Sequence, residues 1–447
     1  MPRWTPAPWA MAIMASAFFS CFSAVAFAED EPGTFRIPGT TTTLTLSGYA
    51  QLDVAYDFKS RNPYVEADDY AIIAARIPLN ASYEARKKSG QLYLTARTSR
   101  IGLSSLTTTR WVDIGARVEA DFWSGNLLSS QEFSNSVLAR LRHAYGTLSG
   151  KYGMLLVGQT WSTFMDLNAA AQTVDFNGPG SGPGLRMPMV RYTIPLPANF
   201  TLALAAENAP GTDQNGITDG PGTKTPYTRK VQRIPDLVAH LETGGKWGSI
   251  SAGGVTTHYD NMDSPTGGAS YSKQGWGASL STALNVFGDT FRVSVTGGRG
   301  LGRYMFAAGS AQGVTDTGDR FVLWDAIGYH ANYTHVWNTQ FRSNVVWSQT
   351  FFGNNGASSP ERPYAPTFST ETMDIVDPEV NKQLVELYVN TFWTLNRQVE
   401  FGLEYTFGQR HTFGNDEVSG PCVPGILCPA EVGTMHRVTS TARFNLF

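Results

Sequence analysis

The chain has 447 residues, with 34 basic side chains against 37 acidic ones for a formal charge of −3, which excludes nucleic-acid binding through a basic surface. Charged residues make up 16% of it, well below the roughly 25% of an average soluble protein, while 45 glycines and 12% aromatics set it apart from a disordered polymer. Of the 34 basic residues 25 are arginine, a bias toward planar, permanently charged donors, and no charge run or Pro/Ser linker divides the chain into domains of different composition.

At the N-terminus Met1-Pro2-Arg3 leads into an apolar stretch from Trp9 to Phe27, with Ala26-Phe27-Ala28 ahead of Glu29-Asp30, the layout of a secretory signal peptide over 1–28. The alternatives are a membrane anchor, against which the small-residue site and the following acids argue, and a lipidated Cys21, for which Phe18-Phe19-Ser20 is a poor lead-in. Cleavage after Ala28 leaves 419 residues and one positive charge fewer. No later stretch approaches the roughly 18 apolar residues of a membrane helix. The mature chain is therefore expected to be exported without one, and residues 29–43 form a short periplasmic segment before the first strand.

From Leu44 to Phe58 the even positions are Leu44, Leu46, Gly48, Ala50, Leu52, Val54, Tyr56 and Phe58, whereas the odd ones include Thr45, Gln51, Asp53 and Asp57. That alternation predicts one long strand with an apolar and a polar face. The pattern recurs from Val112 to Phe122 and from Val399 to Phe407. Such runs are about twice the five or six residues of a soluble strand, and tilted strands of roughly ten residues are what a bilayer requires.

The links between strands sort by length. Tight ones fall near Ser105 to Thr109, Ser149-Gly150, Pro195 to Asn199, Gly244-Gly245, Val286 to Asp289, Trp337-Asn338 and Leu395 to Arg397. Long polar ones cover 59–90, 124–136, 160–187, 209–233, 259–271, 299–320, 350–382 and 408–434. Seven short and eight long links join about sixteen strands, which predicts a transmembrane antiparallel β-barrel over 44–447 with short periplasmic turns and long external loops. Closure satisfies every backbone group in lipid and leaves no sheet edge.

In the last external loop, Cys422 and Cys428 are the two cysteines left after signal removal, and in an exported protein they are expected to pair as a loop staple. A metal site there lacks further Cys or His at ligand spacing. The chain ends on Phe447, preceded by alternation from Val438 to Leu446, which resembles the signal read by the outer-membrane barrel assembly machinery, although Phe444 and Leu446 sit on the opposite parity from Phe447.

Enzyme signatures are missing from the sequence: it holds no G-x-S-x-G, H-E-x-x-H or C-x-x-C. His330 and His335 differ by five and so face opposite sides of a strand. Gly297-Gly298-Arg299-Gly300-Leu301-Gly302 lacks the Lys-Ser/Thr and the helix of a phosphate loop and reads as a strand end entering an external loop. His240, flanked by Asp236 and Glu242 on one face, reads as a pore-wall imidazole rather than an acid-base group. No metal or cofactor is expected.

On the polar face, parity places Arg97, Arg117, Arg140, Arg142 and Arg191 on the second, third, fourth and sixth strands, one sector of the wall. Some are expected to pair with Asp113, Glu119 and Asp121, and the cluster as a whole to act on passing anions. The link 160–187 follows the fifth strand and carries Asp166, Asp175 and apolar Trp161, Phe164, Met165, Leu167 and Phe176, which call for burial. By resemblance to general porins it is expected to fold into the lumen, with Asp166 and Asp175 facing the arginine wall across a constriction.

Three stretches carry a more specific likeness. Phe35-Arg36-Ile37-Pro38-Gly39-Thr40 leading into Gly48-Tyr49-Ala50-Gln51-Leu52-Asp53, Ser99-Arg100-Ile101-Gly102-Leu103, and Val157-Gly158-Gln159-Thr160-Trp161 continuing through Asp166 to Val174-Asp175-Phe176-Asn177-Gly178-Pro179 resemble the DcaP-like family of trimeric outer-membrane porins. The resemblance implies a 16-stranded barrel, three per assembly, passing small negatively charged solutes such as dicarboxylates. Many members carry an N-terminal coiled coil, for which Glu29 to Thr43 is too short, so trimerisation is expected to rest on barrel surfaces. The expectation is thus a passive porin in outer-membrane lipid for small hydrophilic or anionic solutes; the alternatives are a barrel enzyme of lipase or protease type and a plugged surface adhesin.

Overall fold

In a computed structural model the chain is described over residues 32–59, 74–77, 90–123, 139–208, 234–263, 270–301, 304–306, 313–315, 321–353, 381–412 and 432–447. The signal peptide and both Cys422 and Cys428 lie outside those residues. Sixteen strands form the wall. They are β1 (Thr42–Lys59), β2 (Gln91–Thr95 continued by Arg100–Thr108), β3 (Asp113–Asp121), β4 (Arg140–Gly150), β5 (Gly153–Trp161), β6 (Arg186–Pro195), β7 (Phe200–Glu207) and β8 (Asp236–Gly245). The other half is β9 (Gly248–Asp263), β10 (Ser270–Val286), β11 (Asp289–Arg299), β12 (Asp325–Val336), β13 (Phe341–Gly353), β14 (Asn381–Thr394), β15 (Val399–Thr412) and β16 (Val432–Asn445).

Each strand pairs antiparallel with its chain neighbour, and β1 closes the circle on β16 from Tyr49↔Asn445 to Asp57↔Arg437. The predicted sorting of links holds, with every tight turn at one end of the barrel. Boundaries shift modestly: β1 begins at Thr42, β9 runs on to Asp263, and Thr34–Arg36 adds a short strand against Thr43–Thr45.

The two faces of this sheet carry inverted chemistry. Outward Val118 and Leu403 are 54% and 53% exposed, while inward Asp53, Thr406 and Thr439 are fully buried. A soluble sandwich buries the apolar face; here that face meets lipid. Aromatic rings gather at the short-turn rim, where Trp393 stacks between Phe341 and Phe401 with centroids 6.0 and 5.5 Å away, and Phe291 lies 4.7 Å from Tyr333. Rings suit the headgroup region because an apolar body and a polar edge are both solvated there.

Packing of the ordinary apolar kind occurs inside the lumen. Phe164 and Met187 from the 160–187 link, Leu301, Tyr304 and Met305 from the link after β11, and Ile77 from the link after β1 cluster with Tyr388 and Val346 of the wall. The sequence leads one to expect a single inward loop; among the described residues, parts of three fold inward. Ala74–Ile77 is held at the inner face of β14 and β15, where Arg410 donates from Nη1 to the Ile77 carbonyl at 3.0 Å. Tyr304 donates its hydroxyl to Asp236 Oδ2 at 3.0 Å. The glycine-rich stretch after β11 is indeed a strand end, with the Gly300 N–H donating to the Trp324 carbonyl at 2.8 Å.

Two irregularities aim side chains into the lumen. In β4 the register with β3 jumps between Glu119↔His143 and Ala120↔Leu141, so Arg142 and His143, adjacent in sequence, are both buried on the inner side. Such an extra residue is how a bulge re-aims a side chain. In β2 the stretch 96–99 interrupts pairing with β1; Ser99 Oγ accepts from the Gln51 N–H at 3.0 Å, and Thr98 donates its hydroxyl to Asp53.

Candidate functional site

Strand β3 alternates strictly, so Arg117, Glu119 and Asp121 project inward together while Val118 and Ala120 face out. Neighbouring β4 supplies Arg140 and Arg142, β2 supplies Arg100, and β6 supplies Arg186. Arg140 grips Asp121 with two parallel bonds, Nε to Oδ1 at 2.9 Å and Nη2 to Oδ2 at 2.7 Å. Arg142 bridges the two acids, donating to Glu119 Oε1 at 2.7 Å and to Asp121 Oδ2 at 2.8 Å. Glu119 is also reached by Arg117 at 2.6 Å and by Arg100 at 3.5 Å. The acids are buried, at 4% and 0% side-chain exposure, whereas Arg117, Arg140 and Arg100 remain 31%, 30% and 24% exposed. Burying carboxylates is tolerated because fixed guanidinium forks satisfy their lone pairs.

Arg186 differs from the other four. Its guanidinium lies 4.0 Å from the Trp161 ring centroid, within electrostatic range of Arg142, Arg140 and Arg100, and among the described residues it makes no ion pair. Counting guanidinium and carboxylate groups alone, five positive charges meet two negative ones, a surplus of three.

Aromatic faces back these cations. Phe176 sits 5.5 Å from Arg140 and 5.8 Å from Arg142, and is itself stacked on Trp123 at 5.2 Å. Tyr49 of β1 lies between Arg100 at 5.3 Å and Arg443 of β16 at 4.5 Å. Arg443 shares the Glu400 carboxylate with Arg342, at 3.9 and 2.8 Å respectively, and Arg342 lies 4.3 Å from Phe392. A flat ring holds a guanidinium in one plane without neutralising it.

The 160–187 link does fold inward, and wall carboxylates clasp its backbone. Glu207 accepts from the Thr163 N–H at 2.6 Å and the Ser162 hydroxyl at 2.7 Å. Glu404 accepts from the Val174 and Asp175 N–H groups, and Glu386 from the Gly180 N–H at 2.8 Å. The loop also lies close on the wall at Gly328 and Gly402: a Cβ at Gly328 would fall 2.9 Å from Ser181 Cβ, and one at Gly402 2.9 Å from Val174 Cγ2. Only a missing side chain gives that backbone room.

Of the residues singled out from sequence, Arg117, Arg140 and Arg142 come together. Arg97 lies in the interruption of β2, 2% exposed, with its carbonyl accepting from the Phe122 N–H at 3.0 Å. Arg191 is on the inner face of β6 but borders a different, small cavity with Asp166, His240 and Glu242. Asp166 accepts from Ser251 Oγ at 2.5 Å and from the Asn168 N–H at 2.8 Å. Asp175 is 2% exposed and accepts from the Asn177 and Gly178 N–H groups at 3.0 and 3.2 Å, closing its own turn. The loop residue that stands against Arg140 and Arg142 is Phe176, while Asp166 shares its cavity with Arg191. Arg100, Arg186 and Tyr49 are not among the wall groups expected from the sequence. Arg100 resumes after the break in β2 that resets parity, and Arg186 shares the parity of outward Pro188 and Val190, so alternation by itself assigns it to the other face.

Comparison with known proteins agrees with this architecture. Residues 33–421 match the family model described as DcaP outer membrane protein. Porin Omp2b of Brucella suis is 26% identical over 323 residues, 71% of this chain and 74% of that one. The crystal structure of the outer membrane channel DcaP of Acinetobacter baumannii aligns with a TM-score of 0.68 at 21% identity, covering 92% of this chain and 99% of that one. An anion-selective porin from Comamonas acidovorans aligns with a TM-score of 0.52 at 11% identity, over 91% and 100% of the two chains.

Proposed function

This chain belongs to the DcaP outer membrane protein family and is an outer-membrane porin, and we propose that it is a passive diffusion channel for small hydrophilic solutes that prefers anions, dicarboxylates among them. The observation that carries the preference is the surplus of three positive charges around Glu119 and Asp121, with Arg100, Arg117 and Arg140 partly exposed and the two acids buried. A guanidinium offers a carboxylate two parallel donors and keeps its charge at any physiological pH. Charges across a wet lumen are screened over roughly 8–10 Å at physiological salt, so the preference acts on solutes forced close to this wall. The inward loop supports that reading, since its apolar packing on β9 to β15 fills the opposite side. The working unit is a homotrimer, as the likeness to trimeric porins implies, seated in lipid through the exposed apolar face.

The test is single-channel recording of purified protein across a KCl gradient. Wild type should reverse on the anion side, and replacing Arg117, Arg140 and Arg142 together by Gln should move the reversal potential toward cations while uncharged sugars still pass. An unchanged reversal potential in the triple variant overturns the anion preference and leaves the porin reading in place.

A further inference from the structure

The aromatic-backed arginines continue beyond the cluster that supports the anion preference, and they change height as they go. Arg186 is the first residue of β6, at the end where the inward loop re-enters the wall. Arg342 is the second residue after the tight turn before β13, Glu400 the second after the turn before β15, and the Asn445 N–H beside Arg443 donates to the Gln398 carbonyl of that same turn at 2.7 Å. These three groups therefore stand at the short-turn rim. Between the two levels lies Tyr49, half-buried, with Arg100 against one side and Arg443 against the other.

We infer that the channel holds anions at two stations, an outer one at Arg186 on Trp161 and a periplasmic one at Arg443 and Arg342 around Glu400, with Tyr49 as the step between them. This rests on the anion preference proposed above and adds to it a second site and a direction. At the outer station Arg186 carries an uncommitted guanidinium, because its partner is an aromatic face rather than an acid. At the periplasmic station two guanidinium groups share one carboxylate, and the Arg443 and Arg342 side chains are 36% and 26% exposed, so a net charge of one remains open to a solute carboxylate or other small oxyanion. Tyr49 supplies no charge. Its ring backs both Arg100 and Arg443, so that an anion leaving one guanidinium has the next within reach. Two shallow sites in series bind strongly enough to admit an anion and weakly enough to release it.

Succinate added to one side of a planar bilayer, with protein inserted in one orientation, tests this through the association rate read from current interruptions. Arg186→Gln should lower the rate for succinate added on the long-loop side at least fivefold and leave the short-turn side within twofold; Arg443→Gln should do the reverse. Tyr49→Ala should lower succinate flux while both association rates persist, and Tyr49→Phe, which keeps the ring, should behave as wild type. Arg186→Lys and Arg443→Lys, which keep the charge, should retain at least half of each rate, separating lost attraction from a misfolded barrel. Equal effects from both sides, or an Arg443→Gln channel indistinguishable from wild type, overturn the two-station path. If those two variants are silent while the Arg117/Arg140/Arg142 variant still shifts the reversal potential, the stations fail and the anion preference stands; if all are silent, the preference fails with them.

Discussion

The Glu404 carboxylate accepts hydrogen bonds from two consecutive backbone N–H groups, those of Val174 and Asp175, each at 2.8 Å. One wall acid thereby fixes the inward loop at the point from which Phe176 reaches Arg140 and Arg142. Hydrogen bonds to a charged acceptor are worth roughly 1.5–3 kcal/mol each. Glu404→Ala is therefore expected to free this part of the loop, seen as larger single-channel conductance with more open-channel noise. Conductance equal to wild type would show that Glu386 and Glu207 suffice to hold it.

Gly328 provides an independent handle on the same loop. Gly328→Val would drive its side chain into Ser181 and, as an overpacked contact, cost roughly 1–3 kcal/mol. The expected outcome is a lower unfolding temperature in detergent together with a raised size limit for neutral sugars. Gly254→Ala, in β9 where a Cβ would meet nothing within 4 Å, should change neither.

The outward face is tested at Leu403, 53% exposed on β15. Leu403→Arg should destabilise the barrel by about 2–4 kcal/mol in lipid, whereas Leu403→Phe should be close to neutral. Denaturant titration of the folded fraction in vesicles reads the difference. Equal cost for the two substitutions would contradict lipid contact at this position.

Salt should act on the anion preference in a stated direction. Because Arg117, Arg140 and Arg100 are about a third exposed or less yet face water, their attraction for solutes falls as the screening length shortens from about 10 Å at 0.1 M to about 3 Å at 1 M. Anion over cation permeability should accordingly decline across that range, and a salt-independent ratio would place selectivity in pore size instead.

Cys422 and Cys428 lie outside the described residues, and their pairing is a proposal from sequence. Both should resist alkylation in the non-reduced protein, and replacing both by Ser should leave channel current nearly unchanged, since a six-residue spacing constrains little beyond its own loop.

How far the sequence reached follows from the range of the interactions involved. Period-two alternation and the sorting of links by length were sufficient for a sixteen-strand barrel with its apolar face outward, because strand pleat and the demand for paired backbone groups in lipid are local rules that each strand obeys by itself. They also placed Arg117, Arg140 and Arg142 on the lumen side, since β3 and the start of β4 keep parity up to the bulge. Parity says which face a residue occupies but nothing of its height or its partner across the lumen. That is why the sequence alone does not show that Asp166 shares its cavity with Arg191 and accepts from Ser251, that Asp175 closes its own loop turn, or that Phe176 is the residue against Arg140 and Arg142. Breaks in pairing at 96–99 and at Arg142/His143 shift which residues face inward, and Arg100, Tyr49 and Arg443 become neighbours only when strands far apart in the chain close into a ring. The fold was written in the local pattern; the charge surplus, the uncommitted Arg186 and the three clasps on the loop are properties of the closed barrel, decided by which side chains its curvature and register bring within a few ångströms of one another.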